Sequence, residues 1–275
     1  NHCYWVLGEP EISDDDYERL VMRLWELDSA HPLIHQLHTP SVASDGKVRH
    51  SRPMLSLDKA YSLEEVLEWA GKYARNNDEL LLVQPNYDGI SANFSGGVLA
   101  TRGDGVEGED ITAKLPLIRL EAPDYQGPVN RPVRGEIVIR DDVFREKFCH
   151  ITRKDGGIYK NSRNAVAGIM GLKEIDDILA QFKTHDAWLS LVDYELLSFR
   201  VGFGELRERW PEMLHSIEEM PYPMDGIVIK FADEDYSLSL GYTAHHPRGQ
   251  IAFKFSGIRK TSTLLDVQWS FGKNC

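Results

Sequence analysis

Polar and charged residues follow directly after two strand-type runs in this sequence. The apolar run Leu80-Leu81-Leu82-Val83 leads through Gln84-Pro85-Asn86-Tyr87 to the turn-forming pair Asp88-Gly89. A second run ends at Thr101-Arg102-Gly103-Asp104-Gly105. Loops on a rigid scaffold carry binding and catalytic groups, so these two segments form the candidate functional site. An ordinary hairpin corner stays open as the alternative for the first segment.

The second segment contains a glycine pattern, Gly-x-Gly-x-x-Gly at residues 103–108. A dinucleotide fingerprint requires a strand before the glycines, a long apolar helix after them and a returning parallel strand. The stretch from Glu109 to Lys114 is short and polar before Pro116, which disfavours that fold. The glycines instead indicate a tight loop whose backbone can approach a nucleotide closely.

The elements that would position these loops can be read from capping and periodicity. Ser62-Leu63-Glu64-Glu65 is a capping box before an apolar helix face. Arg134–Ile139 alternates like a half-buried strand. Further strands are predicted at 189–199, 227–231, 250–255 and 263–270. Further helices are predicted after Asp141 or Asp142 through Cys149, after Asn161 past Met170, and over 205–220 with an interruption at Pro211. Residues 41–52 are predicted to be a loop-like linker.

Composition narrows the class of protein. The 275 residues are 42% hydrophobic and 27% charged, which fits one large or two unequal globular domains. The net charge of −12 argues against strong nucleic-acid binding by this piece alone. No apolar run approaches the roughly 20 residues that span a bilayer, and no signal peptide is visible, so no membrane partner is expected.

Cysteines and histidines give no metal or disulfide pattern. Three cysteines lie far apart without a Cys-x-x-Cys pair, at Cys3, Cys149 and Cys275, so neither a disulfide framework nor a zinc site is predicted. A reducing, cytoplasmic compartment is expected. His31, His35 and His38 have helix-like spacing, but flanking prolines disfavour a regular helix, so they are interpreted as surface or packing residues.

Gln84-Pro85-Asn86-Tyr87-Asp88-Gly89 resembles motif I of the covalent nucleotidyltransferases, x-Lys-x-Asp-Gly. It is most similar to the Glu-Pro-Lys-Leu-Asp-Gly of bacterial NAD⁺-dependent DNA ligases. Further blocks resemble that family in its order: Thr101-Arg102-Gly103-Asp104-Gly105 with Gly108-Glu109-Asp110-Ile111-Thr112, Val133-Arg134-Gly135-Glu136, Asn161-Ser162-Arg163-Asn164-Ala165, Asp225-Gly226-Ile227-Val228-Ile229-Lys230 and Ala252-Phe253-Lys254-Phe255. Together the blocks span nearly the whole chain.

The resemblance implies an α+β, ligase-type nucleotidyltransferase fold of antiparallel sheets with flanking helices, preceded by a small helical module. It implies a helical module at 1–45, the adenylation domain at 46–262, and the start of an OB domain or a tail at 263–275. The implied activity joins 5′-phosphate and 3′-hydroxyl ends in DNA replication and repair, through lysyl-AMP and an AMP-capped 5′ end. NAD⁺ and Mg²⁺ are the implied cofactors. A nicked DNA or RNA duplex, bound by the full-length parent, and a monomeric state are the implied partner and assembly.

Residues 9–18 resemble the N-terminal module that in this family grips the nicotinamide mononucleotide (NMN) half of NAD⁺. The matching positions are Tyr4, Trp5, Asp14, Tyr17 and Glu18. Trp5 replaces a His or Tyr of the family, and Glu18 replaces an Asp.

The resemblance also implies an AMP site. Attack on an α-phosphate needs an uncharged amine, cations around the phosphate oxygens, and carboxylates for ribose or metal. Lys230 and Lys254 match the phosphate lysines. Glu136 and Asp225 match the carboxylates, although no side chain is assigned as a direct metal ligand. The remaining matched nucleotide contacts are Ser56, Leu57, Gln84, Asp88 and Arg102.

The chief departure is Asn86, which stands where the family has its nucleophilic lysine. A carboxamide nitrogen is delocalised into its carbonyl and is not a competent nucleophile. An engineered replacement and a natural, non-catalytic NAD⁺-binding protein both stay open. Gly171 also replaces a family arginine, and Gln84 replaces a glutamate. Together with Trp5, these departures keep an NAD⁺-dependent RNA ligase open as the alternative.

Overall fold

The computed structural model describes residues 23, 46–50, 53–122, 132–243 and 246–255, and these form a mixed α+β structure. The strands are β1 (Lys47–Arg49), β2 (Asp58–Ala60), β3 (Leu80–Tyr87), β4 (Ile90–Ser95), β5 (Val98–Thr101), β6 (Glu107–Glu109), β7 (Ile118–Glu121), β8 (Val133–Val138), β9 (Leu189–Asp193), β10 (Phe199–Gly202), β11 (Met224–Phe231) and β12 (Gln250–Lys254). The α-helices are α1 (Leu63–Tyr73), α2 (Asp141–Lys147), α3 (Ser162–Met170), α4 (Asp176–His185), α5 (Leu206–Glu218) and α6 (Glu234–Ser239). This confirms the α+β prediction.

The first five-stranded sheet has the order β10-β3-β11-β12-β2, and only the β12–β2 pair is parallel. Its alternate residues Val83, Ile227 and Ile229 are fully buried in one apolar cluster with residues of α1 and α5. Because side chains alternate across a strand, Asn86, Gln84 and their register partners lie on the other face. Helices α1 and α5 therefore pack on the face of this sheet opposite to Asn86 and Gln84.

The second five-stranded sheet has the order β5-β4-β8-β9-β7, with β7 and β9 parallel. Its apolar face packs against α3 and α4 in the largest buried cluster, which includes Ile137, Leu191, Ile169 and Phe182. Strands β1 and β6 form a separate antiparallel pair. No helix among the described residues is long and apolar enough to cross a membrane.

The chain crosses between the two large sheets at Asp88-Gly89. Strand β3 belongs to the first sheet and β4 to the second, so the hairpin alternative for this segment is wrong. A Cβ on Gly89 would lie 2.1 Å from the carbonyl oxygen of Ile137, so only glycine fits this crossing. The turn signal was read correctly, but local sequence carries no information on which sheet receives the next strand.

Several predicted boundaries are confirmed. Ser62 caps α1 by accepting the Glu65 N–H at 3.2 Å. Asn161 caps α3 by accepting the Asn164 N–H at 2.8 Å, although α3 ends at Met170 and not beyond it. Strands β11 and β12 lie where the apolar runs predicted them.

The glycine loop at 103–108 joins β5 to β6, and a 3₁₀ helix at Thr112–Leu117 follows. The described residues thus contain no long helix after these glycines, as the short polar stretch predicted. Gly103 and Gly105 have φ values of 58° and 97°, which glycine adopts without steric cost.

Two element predictions fail because packing outweighs local signals. Strand β8 is buried on both faces rather than half-buried, since Tyr87 and Tyr222 pack against Val138 on its second face. Helix α5 runs through Pro211 without interruption. Pro211 removes one backbone hydrogen bond, but the buried residues of α5 hold the helix against the first sheet.

Three further predictions need correction. Neither Asp141 nor Asp142 caps α2: its N-cap is Arg140, which makes no side-chain capping bond, and Asp142 instead pairs with Arg140. The predicted strand at 189–199 is instead β9, a turn and the first residue of β10, and these two strands lie in different sheets. Within the predicted linker 41–52, residues 47–49 form β1. The predicted strand at 263–270, the residues of 1–45 that match the NMN module, and His31, His35 and His38 lie outside the described residues.

Candidate active site

One row of register partners crosses the first sheet at the predicted site. Asn86 of β3 pairs with Gly226 of β11, and Gly226 pairs with Lys254 of β12. Directly paired residues point to the same face of a sheet, and two strand spacings separate Asn86 from Lys254 by roughly 10 Å at the backbone. The sheet thus brings together two sequence-predicted positions that are distant in the chain.

Gly226 lies between these two side chains for a steric reason. A Cβ at this position would lie 2.0 Å from the Phe253 carbonyl oxygen. The row therefore has no side chain between Asn86 and Lys254. Lys254 Nζ donates to Asp225 Oδ1 at 2.7 Å, so the cation and the carboxylate predicted for the site form one ion pair.

Lys230 lies on the same face but in a different row. It pairs with Leu82, four residues along β3 from Asn86, or roughly 13 Å at the strand rise. Burial lowers the pKa of Lys230, while the carboxylates of Glu195, Glu234 and Asp193 oppose that shift. The structure therefore brings Lys254, and not Lys230, to the row of Asn86.

Gln84 occupies the row between them, opposite Val228, and is only 3% exposed. Its Nε2 donates to Ser198 Oγ at 3.3 Å. That bond uses the amide nitrogen and leaves Oε1 as the acceptor. Ser198 was missed by sequence reasoning, because it lies in the turn between β9 and β10 that was predicted to be strand.

The second sheet contributes a buried carboxyl group. Glu136 is 8% exposed and pairs directly with Ser91 of β4. Tyr194 Oη donates to Glu136 Oε2 at 2.6 Å, and Ser91 Oγ lies 2.6 Å from the same Oη. Tyr194 was also missed. The only sequence signal was a tyrosine placed directly after a buried strand.

The environment of Glu136 sets its protonation. Burial raises the pKa of Glu136 to about 7, against the opposing hydrogen bonds from Tyr194 and the Gly89 N–H and the charge of Arg102. The Arg102 N–H donates to the Ser91 carbonyl at 2.8 Å, which holds this residue beside the carboxyl group. Glu136 thus titrates near neutral pH, where small changes in its contacts alter its charge.

The crossing between the sheets carries Asp88. Its N–H donates to the Pro223 carbonyl at 2.8 Å, and Arg163 Nη1 of α3 lies 2.6 Å from Asp88 Oδ1. Asp88 also acts through its charge to raise the pKa of Glu136. The turn at Asp88-Gly89 is therefore held both to the residue before strand β11 and to the helix α3.

A third segment approaches from the edge of the first sheet. Ser56 is exposed, and its Oγ lies 3.2 Å and its carbonyl oxygen 3.0 Å from His246 Nδ1. Leu57 is half-buried. His246, which sequence reasoning did not single out, ties this segment to the turn before β12. Among the described residues, no group of three or more His, Cys, Asp or Glu side chains is arranged to hold a metal ion.

Comparison with protein families identifies the class of this site. A model described as the NAD-dependent DNA ligase adenylation domain matches residues 43–196 and 189–257. A second, described as the DNA ligase-like, N-terminal NAD+-binding domain, matches residues 1–43. The chain therefore belongs to the NAD-dependent DNA ligase family.

Curated relatives agree with this assignment. The chain is 32% identical over 314 aligned positions to the DNA ligase of Thermotoga neapolitana, covering 99% of this chain and 45% of that ligase. It is 30% identical over 325 positions to the DNA ligase of Chlorobium phaeovibrioides, covering 99% of this chain and 47% of that ligase. The chain thus spans about half the length of these relatives. A solved structure named Pmar-Lig_PreS3 shares 14% identity at a TM-score of 0.33, covering 74% of this chain and 47% of that chain.

Proposed function

We propose that this chain is the NAD⁺-recognising and adenylylating part of a DNA ligase, and that Asn86 stops it before covalent chemistry. The observation that carries the proposal is the row Asn86, Gly226 and Lys254 within a chain of the ligase family. In this proposal residue 86 is the motif I position, and it shares a row with Lys254, with only a glycine between them.

The proposed loss of covalent chemistry depends on the side-chain nitrogen at residue 86. Adenylylation requires a neutral amine within about 3–3.5 Å of the phosphorus, and a carboxamide does not provide one. Asn86 can still donate and accept hydrogen bonds, so it is compatible with binding. Both an engineered replacement and a natural non-catalytic protein agree with this chemistry.

The remaining site residues suit a dinucleotide. We propose that Lys254 and Lys230 contact its phosphate oxygens, and that Gln84 Oε1 accepts the adenine amino group. Glu136 and Arg102, beside each other in the second sheet, would contact the ribose. Asp225 is held to Lys254 at 2.7 Å, so it would orient that cation toward a phosphate.

The amino-terminal segment would supply NAD⁺ specificity. Within the proposed boundaries, residues 1–45 form the NMN-binding module, 46–262 the adenylation domain, and 263–275 lead into an OB domain or tail. The proposed NMN contacts are Tyr4, Trp5, Asp14, Tyr17 and Glu18, while Ser56 and Leu57 would lie against the nucleotide and Asp88 would fix the motif I turn.

We propose that Mg²⁺ binds together with the substrate, through its phosphates. The described residues offer it no cage of three or more side-chain ligands, so no step is derived through it. Mg²⁺ commonly keeps several waters and binds through phosphates and one or two carboxylates. We further propose a monomer in a reducing, cytoplasmic compartment, acting within a longer parent on nicked duplexes in DNA replication and repair.

An RNA ligase is the second candidate, on the observation that Gln84, Gly171 and Trp5 depart from the DNA ligase pattern. Nick joining with DNA and RNA strands, by the full-length parent carrying Asn86→Lys, discriminates the two. Faster joining of DNA is expected. Preferential joining of RNA would favour the alternative, and no joining with NAD⁺ binding intact would favour a non-catalytic NAD⁺-binding role.

Calorimetry tests NAD⁺ recognition directly. The chain is expected to bind NAD⁺ much more tightly than ATP. Asp14→Ala and Tyr17→Ala are expected to weaken NAD⁺ binding while leaving AMP binding largely unchanged, because AMP lacks the NMN half. Equal losses for both ligands would contradict the NMN role of this segment.

A further inference from the structure

A chain of three side chains on the second sheet ends at the proposed ribose contact. Ser91 and Glu136 are direct register partners on β4 and β8, and Tyr194 follows the neighbouring strand β9. The Tyr194 hydroxyl lies 2.6 Å from Ser91 Oγ and 2.6 Å from Glu136 Oε2. Its backbone N–H donates to the Arg134 carbonyl at 3.0 Å, so both ends of Tyr194 are fixed.

The direction of the hydrogen bonds follows from proton counting. A tyrosine hydroxyl has one hydrogen, and Tyr194 donates it to Glu136 Oε2. Ser91 must then donate its own hydrogen to the Tyr194 oxygen. Both bonds point toward the carboxyl group, and hydrogen bonds in such a chain polarise and strengthen one another. The arrangement favours the ionised form of Glu136.

We propose that Tyr194 is a positioning residue, which orients Glu136 and favours its ionised form so that this carboxylate can accept a hydroxyl of the bound nucleotide. This rests on the proposed nucleotide site, which it deepens by adding a residue that acts through another. Tyr194 itself need not touch the ribose for this role. Ser91 supports it from the far side.

The groups facing Glu136 make the proposal measurable. Besides Tyr194, they are the Gly89 N–H from the crossing segment, Arg102 after β5, and Asp88, which Arg163 pairs. Burial works against the charged form and raises the pKa of Glu136 to about 7. Loss of the Tyr194 hydroxyl is therefore expected to raise that pKa further, into a range that titration resolves.

The direct test is the titration of Glu136 in the ligand-free protein, followed by NMR of ¹³C-labelled glutamate carboxyl groups. Tyr194→Phe is expected to raise the Glu136 midpoint by about one to two pH units, the equivalent of one hydrogen bond to a charged group. Replacing Tyr194 alone by 3-fluorotyrosine, a stronger donor of nearly the same size, should lower the midpoint. This second variant keeps the test valid if the phenylalanine variant fails to fold.

Tyr222→Phe is the matched control. Tyr222 is also buried and also donates to a carboxylate, that of Glu121, so its loss removes the same kind of bond away from Glu136. This variant should leave the Glu136 midpoint unchanged. An equal shift in both phenylalanine variants, or no shift with either change at Tyr194, would overturn the proposal.

Calorimetry from pH 5.5 to 9 separates this proposal from the proposed function. NAD⁺ affinity should rise with the ionisation of Glu136, and Tyr194→Phe should move that rise upward by the same one to two pH units. The affinity of the variant should therefore approach that of the parent chain toward the alkaline end of the range. Lost affinity at every pH would make Tyr194 a general structural residue and contradict the proposal. A shifted Glu136 midpoint without NAD⁺ binding by the parent chain would overturn the nucleotide site and leave the link between Tyr194 and Glu136 supported.

Discussion

The two large sheets position the side chains of the candidate site in different ways. The first sheet places Asn86 and Lys254 in one row by strand register, with a glycine between them, and the ion pair with Asp225 at 2.7 Å holds the Lys254 side chain. The second fixes Glu136 by two successive 2.6 Å hydrogen-bond contacts and by burial. Register places side chains at about 5 Å intervals across a sheet, whereas a buried polar chain also sets rotamer and charge. The two sheets therefore differ in how far they constrain the side chains of the candidate site.

The largest effect is expected from a substitution that disrupts the register of the first sheet. In Gly226→Ala, the new Cβ would lie 2.0 Å from the Phe253 carbonyl oxygen, so β11 and β12 must separate. We expect a loss of about 3 kcal/mol or more in the free energy of unfolding, at the upper end for overpacked sites, measured by urea denaturation.

Gly71→Ala is the matched control for this change. Gly71 lies inside α1, and its nearest atom would be Phe203 Cζ at 3.4 Å. Alanine there should be neutral or stabilise by up to about 1 kcal/mol. Similar losses for both variants would mean that the close approach at Gly226 does not hold the row together.

The next largest effect is expected on the adenylylation rate, and it distinguishes the roles of the two lysines of the first sheet. In an Asn86→Lys background, Lys254→Ala should slow adenylylation on the order of a hundredfold, the scale for loss of a charge-stabilising group. Lys230→Ala should cost less, because Lys230 lies two rows away. Radiolabelled AMP transfer measures both.

Lys183→Ala, in the exposed last turn of α4, is the control for the lysine variants. It should change the adenylylation rate less than about threefold. A Lys254→Ala variant with an equally small change would make Lys254 a surface charge, and a larger loss for Lys230 would contradict the distinction drawn from the rows.

A smaller effect concerns the pH dependence of stability in the second sheet. Because the folded-state pKa of Glu136 is raised to about 7 from 4.5, the folded protein binds more protons than the unfolded chain between these values. Protonation of Glu136 therefore contributes to the free energy of unfolding below pH 4.5, and this contribution is lost as pH rises toward 7. The free energy of unfolding should thus fall between pH 5 and pH 8, and Glu136→Gln should reduce that fall by on the order of 2 kcal/mol, measured by denaturation at both pH values. An unchanged slope would mean that Glu136 is not the titrating group.

The smallest effect concerns the ion pair at the crossing between the sheets. Arg163 and Asp88 are 2.6 Å apart, but the arginine side chain is 62% exposed. Exposed pairs contribute about 0–1 kcal/mol, so Arg163→Ala should cost less than 1 kcal/mol by thermal denaturation. A loss above 2 kcal/mol would show that the pair, and not Gly89, fixes the crossing.

The sequence predicted what depends on short-range signals. The cap at Ser62, the cap at Asn161 and the apolar runs of β11 and β12 each rest on neighbouring residues. Features that depend on partners distant in the chain were not predicted. Strand β4, after Asp88-Gly89, joins the second sheet, and α5 continues through Pro211. Both depend on packing partners that lie far away in the sequence.

The residues of the candidate site show the same difference between local signals and distant contacts. Resemblance to the ligase motifs identified Asn86, Lys254 and Glu136, which the sheets place on the site faces. Tyr194 and Ser198 were missed because each acts on another side chain across more than fifty residues. His246 was missed for the same reason, since its contact with Ser56 spans 190 residues.

Intact-mass spectrometry after incubation with NAD⁺ and Mg²⁺ tests most directly whether Asn86 occupies the nucleophile position. The present chain should gain no mass, because its carboxamide cannot attack a phosphate. The Asn86→Lys variant should gain one AMP, release NMN in equal amount, and carry an adduct that acid preserves and hydroxylamine attacks, as expected of a phosphoramidate. An AMP adduct on the present chain, or a folded lysine variant that binds NAD⁺ and gains no mass, would contradict this role of Asn86.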